Sequence, residues 1–223
     1  MRQRRYDCVI FDFDGTLVDT GEGILKSLQF AFEDHGRPVP DLRDLKKFIG
    51  PPIYYSFTTF YGVSEDEVGD YIKSYRKRYK EKGIYECRLY DGMTDTLRAL
   101  KAEGVKLGIA SSKPLHLIYD VMQIVGITEL FDAVVGTALD DSRHQGKADL
   151  VDESRRKLGV EDKTRVLMVG DRCFDIDGAA GAGVDSAGVL FGYGSREEFE
   201  AHGATFVLSE PGELISVVFP ENP

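Results

Sequence analysis

Asp12 and Asp14 stand one residue apart at the end of an apolar, β-forming run, Val9-Ile10-Phe11-Asp12-Phe13-Asp14-Gly15-Thr16-Leu17. Residues at i and i+2 share a face of an extended segment, so both acids can project the same way as the strand ends. Two like charges that close are costly unless a cation lies between them or one acid keeps its proton. Phosphoryl transfer through a carboxylate nucleophile uses such a pair: one acid attacks, the other moves a proton, and a hard metal offsets both charges. Taken alone, the same residues also read as a strand entering an Asp-Gly turn.

Three further clusters follow candidate strands or open helices, which is where ligands bind in an open α/β sheet. After Gly108-Ile109-Ala110 come Ser111, Ser112 and Lys113, with Pro114 opening the next helix. A hydroxyl and exposed N–H groups at a helix start make a seat for phosphate, although either serine could simply cap that helix. After Val166–Val169 come Gly170-Asp171-Arg172-Cys173-Phe174-Asp175. Asp171 is placed to reach a metal, whereas Asp175 could equally cap the helix it enters. Lys147, after Gly146, opens another helix, where a cation opposes the dipole unless an anion is near; the plain alternative is a solvated lysine.

The elements that must position these residues alternate between strand-like and helical runs, the pattern of a parallel sheet with crossover helices. Strands are expected at Cys8–Phe11, Lys106–Ala110, Ala133–Val135, Arg165–Val169, Asp185–Val189 and Thr205–Val207. Helices are expected at Asp91–Glu103, Pro114–Val125, Lys147–Leu158, Phe174–Ala182, Ser195–His202 and Pro211–Val217. Ser195 with Glu198 makes a capping-box pattern. The fold class is therefore α/β: a Rossmann-like parallel sheet with helices on both faces, plus an inserted helical subdomain.

The insert is the stretch from Asp19 to Tyr90, which shows no convincing strand. Ile24, Leu25, Leu28, Ala31 and Phe32 repeat at helical spacing, as do Val68, Tyr71, Ile72, Tyr75 and Tyr79 behind a Ser64/Glu67 capping box. A parallel crossover needs only about a dozen residues, so residues 19–89 read as an inserted helical subdomain on a core of 1–18 and 90–223. Gly15-Thr16 and Tyr90-Asp91-Gly92 would be its hinges. Gly178-Ala-Ala-Gly181-Ala-Gly183 imitates a dinucleotide fingerprint but sits late in a helix, without the strand–loop–helix context. Its small residues are expected to allow close helix–sheet packing.

Bulk properties narrow the class. The net charge of −10 argues against a nucleic-acid partner. Three scattered cysteines, Cys8, Cys87 and Cys173, suit a reduced, cytoplasmic protein without a disulfide framework. Arg2, Arg4 and Arg5 resemble a signal n-region, but the following apolar run is short and carries Asp12 and Asp14, and no 18-residue apolar run occurs, so no membrane span is expected. A monomer or weak homodimer is expected.

Together, Asp12/Asp14, Ser111, Lys147 and Asp171/Asp175 resemble the four ordered motifs of the haloacid dehalogenase-like hydrolase superfamily, over essentially the whole chain. The helical insert looks like the cap of its phosphoglycolate phosphatase and β-phosphoglucomutase branch, and Phe48-Ile49-Gly50-Pro51-Pro52 is similar to a cap segment there. The resemblance implies that Asp12 is the nucleophile forming an aspartyl-phosphate and Asp14 the general acid and base. Ser111 and Lys147 would hold the phosphoryl oxygens, with Ser112, Thr16 and Gly50 counted with them as substrate-binding and Lys113 a rival for the phosphate lysine. Mg2+ would be bound by Asp12, the backbone carbonyl of Asp14, Asp171 and Asp175.

Asp14 favours a phosphate ester, whose leaving alkoxide profits from a general acid, over dehalogenation. The expected partner is a small phosphorylated metabolite: phosphoglycolate, a nucleotide or a sugar phosphate. A phosphomutase uses the same acids, and a receiver-like phosphoprotein places similar acids at strand ends; both are alternatives. Substrate choice is expected in the cap, where eight of the eleven tyrosines fall between residues 51 and 90. Tyr71, Tyr75 and Tyr79 follow one stripe that would line the cap's own interior.

Overall fold

A computed structural model of the chain describes residues 3–51, 53–138 and 146–220; Arg2 and Pro52, named above, lie outside them. Eight strands form: β1 (Cys8–Phe11), β2 (Val18–Asp19), β3 (Arg88–Leu89), β4 (Lys106–Pro114), β5 (Ala133–Thr137), β6 (Val166–Gly170), β7 (Asp185–Val189) and β8 (Phe206–Leu208). Six of them make one parallel sheet in the order β5-β4-β1-β6-β7-β8. β1 sits centrally and is buried along its whole length, which is why its sequence is apolar without alternation. Its side chains divide by parity. Val9 and Phe11 join one apolar cluster with Leu97 and Ile118, and Cys8 and Ile10 join another with Leu150, Val151 and Ala179.

The helices that close the two faces are α5 (Met93–Ala102), α6 (Leu115–Val125), α7 (Lys147–Lys157), α8 (Cys173–Ala182), α9 (Arg196–Ala201) and α10 (Glu213–Val218). They fall within one or two residues of the expected spans at each end. β4 differs more: it runs on through Ser111, Ser112 and Lys113 to Pro114, with an irregular register between Ala110 and Pro114. The extension is held by pairing of Pro114 with Thr137 and by the Thr137 hydroxyl donating to the Ser112 carbonyl at 3.0 Å. These serines therefore lie on a strand end rather than in a loop.

Residues between β1 and β4 form α1 (Gly21–Asp34), the short turns α2 (Leu42–Leu45) and α3 (Ile53–Tyr55), and α4 (Glu65–Glu81). The stretch is helical, as expected, except at its edges. There β2 pairs antiparallel with β3, Val18 opposite Leu89, and ties the two chain crossings together. α1 and α4 pack on each other around a ring cluster in which Phe32, Phe57 and Tyr71 have centroids 5.5–5.8 Å apart. Ser64 does not cap α4 through its side chain; its hydroxyl donates to Glu67 instead, at 2.8 Å. Ser195 does cap α9, accepting from the Glu198 N–H at 3.2 Å. Among the described residues no helix is long and apolar enough to cross a membrane.

The glycine run in α8 packs chiefly against another helix, not only against the sheet. A Cβ on Gly178 would lie 2.5 Å from Lys147 Cγ, and one on Gly181 3.0 Å from the Ala148 Cβ, both on α7. Gly183 ends α8 in the left-handed conformation, φ +74°. The missing side chain at Gly178 is thus the space through which Lys147 passes. We predict that Gly178→Val destabilises the fold by roughly 1–3 kcal/mol through overpacking and displaces Lys147. Thermal melts check the first effect; an unchanged melting temperature would reject the packing role.

Candidate active site

The carboxyl ends of β1 and β6 bring three acids together. Asp12 follows β1, its N–H donating to the Val169 carbonyl at 2.9 Å, and Asp171 and Asp175 follow β6. All three are nearly or wholly buried, at 3%, 0% and 1% exposure, and one oxygen from each lies within 4.8 Å of the others. Lys147, at the start of α7, enters this cluster. Its Nζ lies 2.9 Å from Asp12 Oδ1 and 2.7 Å from Asp175 Oδ1, and it donates to the Ala110 carbonyl at 3.1 Å. Both carboxylate oxygens are buried, and the Lys147 ammonium is the cation that meets them.

The electrostatics follow from this crowding. Burial opposes the charge on Lys147, but the Asp12 and Asp175 carboxylates outweigh it and hold the lysine above its ordinary pKa. Burial, then the charges of Asp175 and Asp12, push Asp171 well above the usual carboxylate range against the Tyr193 N–H and Thr16 hydroxyl that bond to it. Asp175 rises to about 6 because burial and Asp12 outweigh the pull of Lys147. The cluster is short of positive charge: three carboxylates face one lysine.

Asp14 belongs to a different set of contacts. Lys113 Nζ reaches both its oxygens, at 3.0 and 3.1 Å, and the Thr20 hydroxyl donates to Oδ1 at 2.8 Å. The same Lys113 Nζ donates to the Tyr79 hydroxyl at 2.8 Å and lies 4.7 Å from the centre of that ring. Burial and the Asp14 charge push Tyr79 well above the usual tyrosine range, so its hydroxyl stays protonated. Lys113 therefore serves Asp14 and the helical insert, while Lys147 is the lysine beside Asp12.

The remaining candidates divide. Ser111, 3% exposed, and Ser112 line a cavity of about 1310 Å³ whose floor includes Asp12 and Asp14. Gly50 lines it too, with φ +107°, a left-handed value that a side chain would strain, and close against Arg172. Thr16 does not line it. It is wholly buried, and its hydroxyl donates to Asp171 Oδ1 at 3.1 Å, because the turn after β1 points it at the acid cluster. Gly15 makes that turn possible, with φ +82° and no room for a Cβ, which would lie 2.3 Å from Asp171 Oδ2.

The tyrosine stripe also divides. Tyr71 is interior to the insert, as expected, but Tyr75 and Tyr79 stack at 5.7 Å along the cavity wall. Sequence reasoning missed Thr20, Tyr193 and Arg172. Tyr193 donates its N–H to Asp171 Oδ2 at 3.0 Å, and Arg172 reaches from beside Asp171 to the Ile49 carbonyl at 3.0 Å, steadied by Glu198 at 3.2 Å. Only the adjacency of Arg172 to Asp171 hinted at any of these.

Comparison with known proteins agrees with this geometry. Residues 9–189 match the model of the haloacid dehalogenase-like hydrolase family. The chain is 36% identical over 214 residues to a 5′-nucleotidase of Pseudomonas aeruginosa, covering 96% of each. It is 34% identical over 200 residues to the tyrosine-protein kinase PtkA of Mycobacterium tuberculosis, covering 89% of this chain and 67% of that one. The crystal structure of a predicted phosphatase from Clostridium acetobutylicum superposes with a TM-score of 0.88 at 36% identity, covering 94% of this chain and 96% of that one. The chain therefore belongs to the haloacid dehalogenase-like hydrolase family, where it stands as an enzyme among phosphatases.

Proposed function

We propose that the chain is a Mg2+-dependent phosphatase that hydrolyses a small phosphate monoester through an aspartyl-phosphate on Asp12. The observation that supports it most is the convergence of Asp12, Lys147, Asp171 and Asp175, with Asp14 beside them on the floor of the same cavity as Asp12. Residues 19–89 would act as the cap that closes over the substrate, and 1–18 with 90–223 as the core.

The acid cluster fits a hard divalent cation. Three carboxylate oxygens within 4.8 Å form an all-oxygen donor set, and one lysine cannot match all three acids once they are ionised. Held by Asp12, Asp171, Asp175 and the backbone carbonyl of Asp14, Mg2+ would offset this charge and that of the phosphate.

The chain's own residues supply the rest. A carboxylate oxygen of Asp12 attacks phosphorus, and the bond to the leaving oxygen breaks. Asp14, oriented by Lys113 and Thr20, gives that oxygen a proton. Asp14 then takes a proton from the water that attacks the phosphorus of the aspartyl-phosphate, which regenerates Asp12 and frees phosphate. Lys147 stabilises the charge gathering on the phosphoryl oxygens, and Ser111 and Ser112 orient them from the end of β4.

Three outcomes test this reading. Asp12→Asn should abolish turnover of p-nitrophenyl phosphate while leaving circular dichroism unchanged, and chelation of Mg2+ should abolish it in the wild type; activity surviving either change would reject the mechanism. Asp14→Asn should cost roughly 10²–10⁴-fold in kcat on alkyl phosphates and much less on p-nitrophenyl phosphate, whose leaving group needs no proton. Equal losses on both would remove Asp14 as the acid.

The third outcome concerns pH. A carboxyl whose pKa is raised on folding favours the native state while protonated, so the contribution of Asp175 is present below its ordinary 3.8 and lost as pH rises through about 6. In chelator, the melting temperature of the wild type should therefore fall relative to Asp175→Asn over that interval, and Mg2+ at neutral pH should raise it again. A difference that ignores pH, with no response to Mg2+, would count against the site.

A further inference from the structure

The cavity above Asp12 and Asp14 is larger than a phosphate on a two-carbon alcohol requires. Its volume of about 1310 Å³ exceeds the roughly 300–1,000 Å³ usual for small-molecule sites. Its wall is also unusual for this chain. Seven large apolar side chains are exposed among the described residues, and three of them, Tyr54, Tyr55 and Phe174, line this cavity at 38%, 45% and 40% exposure.

These rings come from separate parts of the chain. Tyr54 and Tyr55 stand on α3 in the insert, and Phe174 stands in the first turn of α8, between Asp171 and Asp175. Each of the last two has a neighbour that steadies it. The Tyr55 ring meets Phe60 edge-on at 5.6 Å, and the Arg172 guanidinium lies 5.8 Å from the centre of the Phe174 ring. Large aromatic surface left in water is costly, and here it is continuous with the floor that carries Asp12 and Asp14. A two-carbon or three-carbon alcohol cannot cover it, whereas a planar ring or base attached to the phosphate can stack on it.

We infer that Tyr54, Tyr55 and Phe174 form the seat for a planar aromatic group on the leaving alcohol. The substrate class is then a phosphate monoester that carries a ring, either a nucleoside monophosphate or an aryl phosphate. This rests on the phosphatase reading above and adds the residues that would choose among its esters. The polar wall near the rings, with Thr58, His116 and Asp120, offers donors and acceptors to the edge of a base.

The test separates binding from turnover. Dissociation constants for adenosine 5′-monophosphate, phosphotyrosine and ribose 5-phosphate are measured by calorimetry on Asp12→Asn with Mg2+ present, and kcat/KM for the same three on the wild type. At least one ring-bearing ester should bind about ten-fold or more tighter than ribose 5-phosphate, the order of one ring stack, with kcat/KM following. The first two probes tell a nucleoside from an aryl ester. Tyr55→Ala and Phe174→Ala should each shrink that ratio several-fold. Equal binding of all three esters, or a ratio untouched by both substitutions, would overturn the inference even if every ester is hydrolysed. Ring-selective binding with no turnover of any ester would instead sink the phosphatase reading and leave the ring seat standing.

Discussion

Charge balance in a dry place governs this structure. Asp12, Asp171 and Asp175 are almost fully removed from water, and an isolated buried carboxylate is costly unless something opposite meets it. Lys147 meets part of that need, at 2.9 and 2.7 Å from two of the three. Much of the local architecture follows from getting that one ammonium into place. α7 must begin beside the ends of β1 and β6, α8 must carry no side chain at Gly178, and the turn at Gly15 must pass close to Asp171. The crowding that remains is what raises Asp171 and Asp175 above the usual carboxylate range and makes the three oxygens a set that could hold a metal ion.

The core fold was legible because its signals are local. Apolar runs without alternation marked strands covered on both faces, and each of the six sheet strands lies where the sequence put it, within a few residues. The acids were legible for a related reason: they follow those strands directly, so finding the strand end finds the acid. Lys147 was readable as a helix-opening lysine that needed an anion, and it has two.

What stayed hidden depends on contacts between distant segments. Nothing at residue 113 shows that its ammonium will span Asp14 and Tyr79, separated from it by 99 and 34 positions. Helical spacing grouped Tyr71, Tyr75 and Tyr79 on one stripe, but α4 lies between the interior of the insert and the cavity, so the stripe serves both. Thr16 was grouped with the substrate residues on the strength of the resemblance, and the backbone turn at Gly15 aims its hydroxyl at Asp171. Gly178 was read as allowing helix–sheet packing, and the structure sets it against the stem of Lys147 on α7. β4 outran its expected end because Thr137 on β5 pairs with Pro114 and bonds to the Ser112 carbonyl, a contact no single segment encodes.

The two hidden basic side chains share a property that joins the site to the insert. Arg172 directly follows Asp171 and grips the Ile49 carbonyl; Lys113 holds Asp14 and grips Tyr79. Each polar bridge to the insert therefore starts at a residue touching or adjoining one of the acids, one on the β6 side and one on the β4 side. A displacement of the insert would break or stretch these bonds, taking an acceptor from Lys113 and a restraint from the segment carrying Asp171. The position of the insert and the geometry of the acids are consequently not independent. Asp14 is held by Lys113 and Thr20 at once while the same ammonium reaches Tyr79, so the placement of this carboxylate and the placement of α4 are tied through one side chain.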